Sequence, residues 1–443
     1  MNDLHATVIG AGLAGCEAAW QLAVRGINVT LIEMKPGKMS PAHHSADMAE
    51  LVCSNSFRGD RLINAVGLLK AEMRLMGSLI MTCADKTKVP AGDALAVDRH
   101  GFSRLVTQYI HNHPHIVVEE REVSDIPDTP VIIATGPLTS DALSSAIQQM
   151  PGLSTLNFYD AAAPIVFRDS LNMDVIYRMS RYQRGEDYLN CPLNEKEYDR
   201  FITALTEAEG VEIHGFEENK IFEGCMPIES MAKRGRMVPA FGPMKPVGLP
   251  DPRTGREPFA VVQLRQDDAQ DTLYNIVGFQ TRLKFPEQKR VFQMIPGLEK
   301  AEFARYGVMH RNTFLNSPGF LNASFEVIHK PLCYFAGQIT GVEGYVESAA
   351  SGLVAGIALA HALKNEVPFA LPSWTALGAM GKYISTLNSR FQPMNCSFGL
   401  IDSLPPELFH GKKRDKHSRY EAVSARALNT IEEIASGERS IHQ

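Results

Sequence analysis

The stretch ATVIGAGLAGCEAAWQLAVRGINVTLIEMKPG, Ala6 to Gly37, decides how this chain folds. Thr7 to Ile9 is a short β-branched run, and Gly10, Gly12 and Gly15 follow in G-x-G-x-x-G spacing. Leu13 to Val24, rich in Ala and Leu, predicts a helix that Gly26 ends. Asn28 to Ile32 predicts a second strand, closed by Glu33. In such a unit the three glycines have separate tasks: a tight turn, close approach of the backbone to a pyrophosphate, and tight helix–strand packing. The helix N-terminus turns its unpaired N–H groups toward the phosphates. An acid at the end of the second strand bonds a ribose hydroxyl. The glycine spacing alone is a weak signal; strand, turn, helix, strand and acid together assign a dinucleotide site to Gly10, Ala11, Gly12, Leu13, Ala14, Gly15 and Glu33. Glu33 opposes a 2′-phosphate, which places FAD or NAD ahead of NADP.

Two later segments favour FAD. TPVIIATGP (Thr129 to Pro137) is an apolar strand that ends at Thr135 and Gly136. PLCYFAGQITGVEGYVESAASGLVAGIALAHAL (Pro331 to Leu363) is a strand, a glycine-rich turn and a long helix. Both resemble the second and third FAD contacts of the two-dinucleotide-binding flavoproteins, which adds Gly337, Gln338, Gly341, Gly344 and Tyr345 to the site. A helix starting near Gly344 would aim its positive end at the flavin, where negative charge develops on reduction. The alternative, ordinary strands and helices of one sheet, leaves the density of glycines between Gly337 and Gly344 without a purpose.

Nucleotide-binding patterns thus occupy both ends of a 443-residue chain. Between about Leu156 and Ser324 the pattern changes to short alternating strands, as in EPFAVVQLRQDD and TLYNIVGF. Two helical stretches join them: one follows Asn194 as N-cap, the other begins PEQKRVF with Pro in its first turn. The expected architecture is α/β. A Rossmann-type FAD domain (1–155 and 325–443) is interrupted by an inserted α+β domain (156–324), with the active site between the two. Seven cysteines are widely spread with no C-x-x-C pair, which argues against a disulfide framework or a zinc site and favours a reducing cytoplasm. Neither a signal peptide nor a membrane span is expected, and a net charge of −6 means that any polyanion must be met by local patches. His43, His44 and Asp47 invite a metal reading, but no matching ligands follow and a loop is expected.

Two cysteine motifs carry the chemistry. AELVCSNSFRGD (Ala49 to Asp60) holds Cys53, and FEGCMPIESMAKRG (Phe222 to Gly235) holds Cys225 beside Lys233, Arg234 and, one residue on, Arg236. Neither thiol sits in an apolar run, as a core cysteine would. With GAGLAGCEAAWQLA and FAGQITGVEGYVESAASG, these motifs closely resemble the folate- and FAD-dependent tRNA (uracil-5-)-methyltransferases, the TrmFO family, over essentially the whole chain and in order. The wobble-uridine modifying MnmG flavoproteins are similar more distantly; they are longer and carry an extra helical C-terminal domain.

The resemblance implies a reaction. NADPH reduces FAD, methylenetetrahydrofolate gives its one-carbon unit to the reduced flavin, and a thiolate adds to uracil C6. C5 then takes the carbon, the thiol leaves, a reducing equivalent completes the methyl group, and 5-methyluridine forms in the T arm of tRNA. Uracil C5 is a poor nucleophile until something adds at C6, and a thiolate both adds and leaves well. The resemblance makes Cys225 that nucleophile and Cys53 a second functional thiol, either an acid/base partner or a stabiliser of the carbon–flavin adduct. Nearby cations activate a thiol, so Lys233, Arg234 and Arg236 could serve Cys225, dock tRNA phosphates, or both. A second basic cluster, Lys412, Lys413 and Arg414, suits phosphates or is a solvated surface. Phe222 and Phe241 are candidate walls for a flipped base. Cys16 and Cys333 read as core. Two competing functions remain: an NAD(P)H oxidoreductase acting on a small molecule, and a non-catalytic tRNA-binding flavoprotein.

Overall fold

The computed structural model describes residues 4–128, 130–153, 155–211, 226–389, 391–405 and 415–441. Cys225, Phe222 and the Lys412, Lys413, Arg414 cluster lie outside the described residues. Strand β1 (His5–Ile9), helix α1 (Leu13–Ala23) and strand β2 (Asn28–Glu33) follow the opening pattern. The β1 residues after His5 are buried on both faces, as a central parallel strand requires. Five parallel strands form the sheet, in the spatial order Cys333–Phe335, Val131–Ile133, β1, β2 and Ile116–Glu120. The two ends of the chain therefore share one sheet.

They also share a helix pair. Helix Tyr345–Lys364 is long and apolar enough to cross a membrane by length and composition, and it is mostly buried. It packs on α1 through small residues. A Cβ built on Gly352 would lie 2.1 Å from the Ala14 carbonyl oxygen, and one on Gly356 would lie 2.7 Å from that of Ala18. Any larger residue would push the two backbones apart.

The described residues between 165 and 305 form a second core around a six-stranded antiparallel sheet. Its order is Tyr177–Arg178, Tyr188–Leu193, Ala260–Gln266, Leu273–Ile276, Ile165–Phe167 and Phe303–Arg305. Helix Glu195–Glu207 packs Tyr198, Phe201, Ile202 and Leu205 into that core. Its N-terminus is closed by a capping box between Asn194 and Glu197. The chain enters and leaves this region through one antiparallel ribbon, Thr155–Ala161 against Met309–Leu315.

Some elements carry no clear sequence pattern. A small sheet joins Ser56–Gly59, Ala94–Val97 and Lys88–Val89 beside the Cys53 loop. The next helix starts at Ala65 and does not follow Asp60 directly. Residues Arg61 to Asn64 instead make a tight turn, and its carbonyl at Arg61 comes within 2.1 Å of where a Gly67 Cβ would stand. Helix Lys416–Ile441 lies against helix Ala65–Leu75. It is fastened by Glu438, which accepts from Arg25 at 3.0 Å and from His361 at 2.9 Å.

Candidate active site

A cleft opens along the ends of the parallel strands. One wall is the glycine turn, with Gly10, Ala11, Gly12, Leu13 and Ala14. Glu33 stands at the tip of β2, and Thr135 with Gly136 follow the tip of Val131–Ile133, the strand on the other side of β1. Gly337, Gln338 and Tyr345 close the far side.

The three glycines of the first turn differ in the way their tasks demand. Gly10 takes φ +95°, and a Cβ there would lie 2.7 Å from the Ala134 carbonyl oxygen. A Cβ on Gly15 would lie 1.7 Å from the Gly10 carbonyl oxygen, so Gly15 serves helix–strand packing and does not line the cleft. A Cβ on Gly12 would meet nothing within 4 Å: the space before it is open and belongs to the cleft. The Glu33 carboxylate accepts the Ala11 N–H at 2.7 Å and the Lys35 N–H at 3.0 Å, which fixes it beside the turn. An open face over a helix N-terminus, flanked by an anchored carboxylate, fits the pyrophosphate and ribose of a dinucleotide.

Two other sequence candidates stand behind the cleft. Gly341 faces the Phe391 ring, and Gly344 abuts Glu347 and Arg58. Glu347 is fully buried, ion-paired with Arg58, and accepts the Cys396 N–H at 2.8 Å. The cleft also takes in residues to which the motifs gave no role, including Lys35, Glu50, Val52, Arg121 and Val123. Lys35 is buried and donates to the Ser45 and Asp47 carbonyls at 3.2 and 2.6 Å, tying down the loop that holds His43. His43 lines the cleft, with its Nδ1 2.5 Å from Ser40 Oγ. The lysine followed the strand by two residues and carried no signal of its own.

Cys53 is half-buried on a loop that joins the cleft through Val52. The Tyr345 hydroxyl accepts the Cys53 N–H at 2.8 Å and the Ser54 N–H at 3.2 Å, and donates to Cys53 Sγ at 3.1 Å. Burial, and then the charge of Cys53, push the Tyr345 hydroxyl well above the ordinary tyrosine range. It stays a phenol and can donate. Arg99, Arg265 and Arg305 also face this thiol. The other described cysteines are buried, and burial raises the thiols of Cys16, Cys83, Cys191, Cys333 and Cys396.

Lys233 and Arg234 end the exposed face of helix Ile228–Arg234. Arg236 is paired with Asp199, lies 3.6 Å from Glu195 and sits over the Tyr198 and Phe259 rings, so its charge is partly spent within the chain. Phe241 is 76% exposed.

A parallel sheet, a glycine turn opening into a cleft and an anchored acid at the next strand tip define a Rossmann-type dinucleotide-binding protein. The family model described as glucose inhibited division protein A matches residues 5–367. The chain is 58% identical over 430 residues to the methylenetetrahydrofolate–tRNA-(uracil-5-)-methyltransferase TrmFO of Bacillus licheniformis, covering 97% of this chain and 98% of that one. To the protein of the same name from Bacillus subtilis it is 57% identical over 437 residues, 98% of this chain and 99% of the other. The structure of Aquifex aeolicus GidA superposes with a TM-score of 0.71 at 15% identity, covering 98% of this chain and 74% of that one, a likeness of fold. The chain belongs to the TrmFO family, within the wider GidA group.

Proposed function

We propose that the chain methylates C5 of a tRNA uridine, in the T arm, with methylenetetrahydrofolate as carbon donor. The observation that supports this most is near-full-length identity of 57–58% to proteins named for that activity. A thiol loop on the rim of a dinucleotide cleft agrees with it. In this reading FAD occupies the cleft. Gly10 to Ala14 and the α1 N-terminus hold its pyrophosphate, Glu33 holds a ribose, and Thr135, Gly136, Gly337, Gln338 and Tyr345 border the rest; Gly15 seats α1 on the sheet, and Gly341 and Gly344 back the second turn. The bound flavin, reduced by NADPH, supplies electrons and carries the one-carbon unit.

The chain's own residues supply the rest. Cys225 adds as thiolate to uracil C6 and makes C5 nucleophilic; Cys53 is the second functional thiol, with the Tyr345 hydroxyl as its hydrogen-bond donor. Lys233 and Arg234 meet tRNA phosphates, assisted by Arg236 and by Lys412, Lys413 and Arg414. The site lies between the FAD domain (1–155 and 325–443) and the insertion (156–324), and the reactive thiols suit a reducing cytoplasm.

The test is nucleoside mass spectrometry on unmodified tRNA transcript incubated with the flavin-loaded protein, NADPH and methylenetetrahydrofolate, omitting each in turn. 5-Methyluridine should appear only with all of them. A flavin that is reduced and reoxidised without 5-methyluridine would favour a small-molecule oxidoreductase. Cys225→Ala should bind FAD and yield no product, and turnover in that variant would remove Cys225 from the nucleophile's role.

A further inference from the structure

The loop Leu51 to Asn55 is bonded at every residue, from two sides. From the glycine-fold side, Arg99 donates to the Leu51 carbonyl, and the Tyr345 hydroxyl bonds the Cys53 and Ser54 N–H groups and the Cys53 sulfur. From the insertion, Arg305 donates to the Val52 carbonyl. Arg265 donates to Ser54 Oγ at 2.8 Å and to Asn55 Oδ1 at 3.0 Å. Asn55 completes the set, donating to the carbonyls of Val97 and Gln266 at 2.9 Å each.

Among the described residues the charges beside the thiol loop are unbalanced. Arg99 is answered by Asp267 through two contacts of 2.9 Å. Among the described residues neither Arg265 nor Arg305 makes an ion pair with a carboxylate, and Arg305 Nε is buried with no hydrogen-bond acceptor. Burial lowers both guanidiniums below the ordinary arginine range, and Arg99 adds repulsion at each. Glu50 and Asp267 counter this from a distance, as would a negative charge on Cys53. A buried cation without a counter-ion is costly, and a thiolate beside these two would relieve the cost while gaining stability itself.

We propose that Arg265 and Arg305 of the insertion are positioning residues for the Cys53 thiol, fixing the residues on either side of it and holding it in its reactive, ionised form. The inference rests on the reading that Cys53 is functional. It makes the insertion, which among the described residues contributes none to the dinucleotide cleft, a builder of the reactive centre. Val52 and Ser54 flank the thiol and each is bonded by a different arginine, so its backbone cannot move without breaking a contact to the insertion.

The experiment measures iodoacetamide alkylation of Cys53 between pH 5 and 9 in the full-length, flavin-loaded protein, read by peptide mass spectrometry. The other described cysteines are buried, and Cys225 is resolved on its own peptide. Arg305→Met and Arg265→Met should each slow alkylation at pH 7 about tenfold and raise the pH midpoint by about one unit. In the tRNA assay they should lower kcat with little change in the KM for tRNA. Arg305→Lys, which keeps the charge, should restore the midpoint. An unshifted midpoint in variants of wild-type Tm overturns the proposal. If the Met variants fail to fold, Arg305→Gln and Arg265→Gln, which keep a donor without the charge, give the same reading: a raised midpoint supports it and an unshifted one overturns it. Full methyl transfer by Cys53→Ala would instead remove the functional reading of Cys53 and leave the alkylation result standing.

Discussion

Gly12 and Gly15 separate cofactor binding from folding, because a methyl group at one meets open cleft and at the other meets backbone. Gly12 has φ −73° and ψ −172°, a conformation that alanine adopts readily. With nothing within 4 Å of its Cβ, Gly12→Ala should leave the flavin-free protein as stable as before, or more stable by about 0.4–1 kcal/mol through the stiffer unfolded chain. The same methyl stands in the space assigned to the pyrophosphate. Displacing that group forfeits at least one charge-assisted bond from the α1 N-terminus, worth about 1.5–3 kcal/mol, or roughly 10- to 150-fold in affinity. Gly15→Ala puts its methyl 1.7 Å from the Gly10 carbonyl oxygen, inside bonding distance of a non-bonded atom. The strand and helix must separate, at a cost of about 3 kcal/mol or more. The assay pairs the 450 to 280 nm absorbance ratio of purified protein with thermal melts of the flavin-free form. Gly12→Ala should purify nearly colourless with an unchanged melt, and Gly15→Ala should melt early. A fully yellow Gly12→Ala protein would refute the cradle, because the methyl would then share its space with the phosphates.

The remaining predictions concern groups outside the cleft. Lys70 is buried and donates to the carbonyls of Phe57, Arg58 and Gly59 at 3.0, 3.1 and 2.9 Å; burial pulls its ammonium down to about 8. Lys70→Met strands those carbonyls and should cost about 2–4 kcal/mol in chemical denaturation, and a loss under 1 kcal/mol would show that water replaces the lysine. His361 faces the Val367 carbonyl through Nδ1 and the Glu438 carboxylate through Nε2; both are acceptors, so both bonds form together only when the ring is doubly protonated. The bond to Glu438 raises its pKa, so its contribution to stability is complete below the ordinary histidine value and fades as pH rises through the raised one. For Glu438, burial opposes the charge, but His361 and Arg25 hold its carboxyl at about 2, so its contribution is complete above the ordinary carboxyl value and fades as pH falls toward 2. The stability gap between wild type and His361→Gln should therefore be widest near pH 5–6 and narrow by pH 9; a gap independent of pH would mean that the ring is neutral.

How much the sequence revealed follows from how local each constraint is. The Gly10 turn was legible because a left-handed residue, a close contact and a helix start must occur within a few residues of one another. The Asn194 cap was legible for the same reason, and its partner Glu197 is three residues away. The bonds that hold the Cys53 loop were not legible. Arg99 and Asp267 are 168 residues apart, and Arg265 lies 211 residues from Ser54. An arginine in a strand such as AVVQLRQ reads as a solvent-facing residue of an alternating pattern, yet every residue of that strand is buried. Helix Lys416–Ile441 was hidden differently: its sequence is too polar to show a clear apolar stripe, and its docking depends on Glu438 meeting Arg25 and His361 from distant parts of the chain.

The closeness of α1 and helix Tyr345–Lys364 explains how a cleft built from both ends of the chain keeps its shape. The glycine turn begins one helix and the second glycine-rich turn begins the other, so the spacing of the helices sets the width of the site between them. That spacing is fixed by atoms that cannot yield. Gly352 and Gly356 lie against the backbone of Ala14 and Ala18, and Gly337 lies against the Ala14 methyl, where its own Cβ would be 3.1 Å away. Ala14 thus touches the far wall and lines the near one. Tyr345, the first residue of the second helix, carries the same reference frame to Cys53 through its hydroxyl. The insertion reaches the thiol from the opposite direction through Arg265 and Arg305. The thiol loop is therefore the place where two separately packed cores meet at one position.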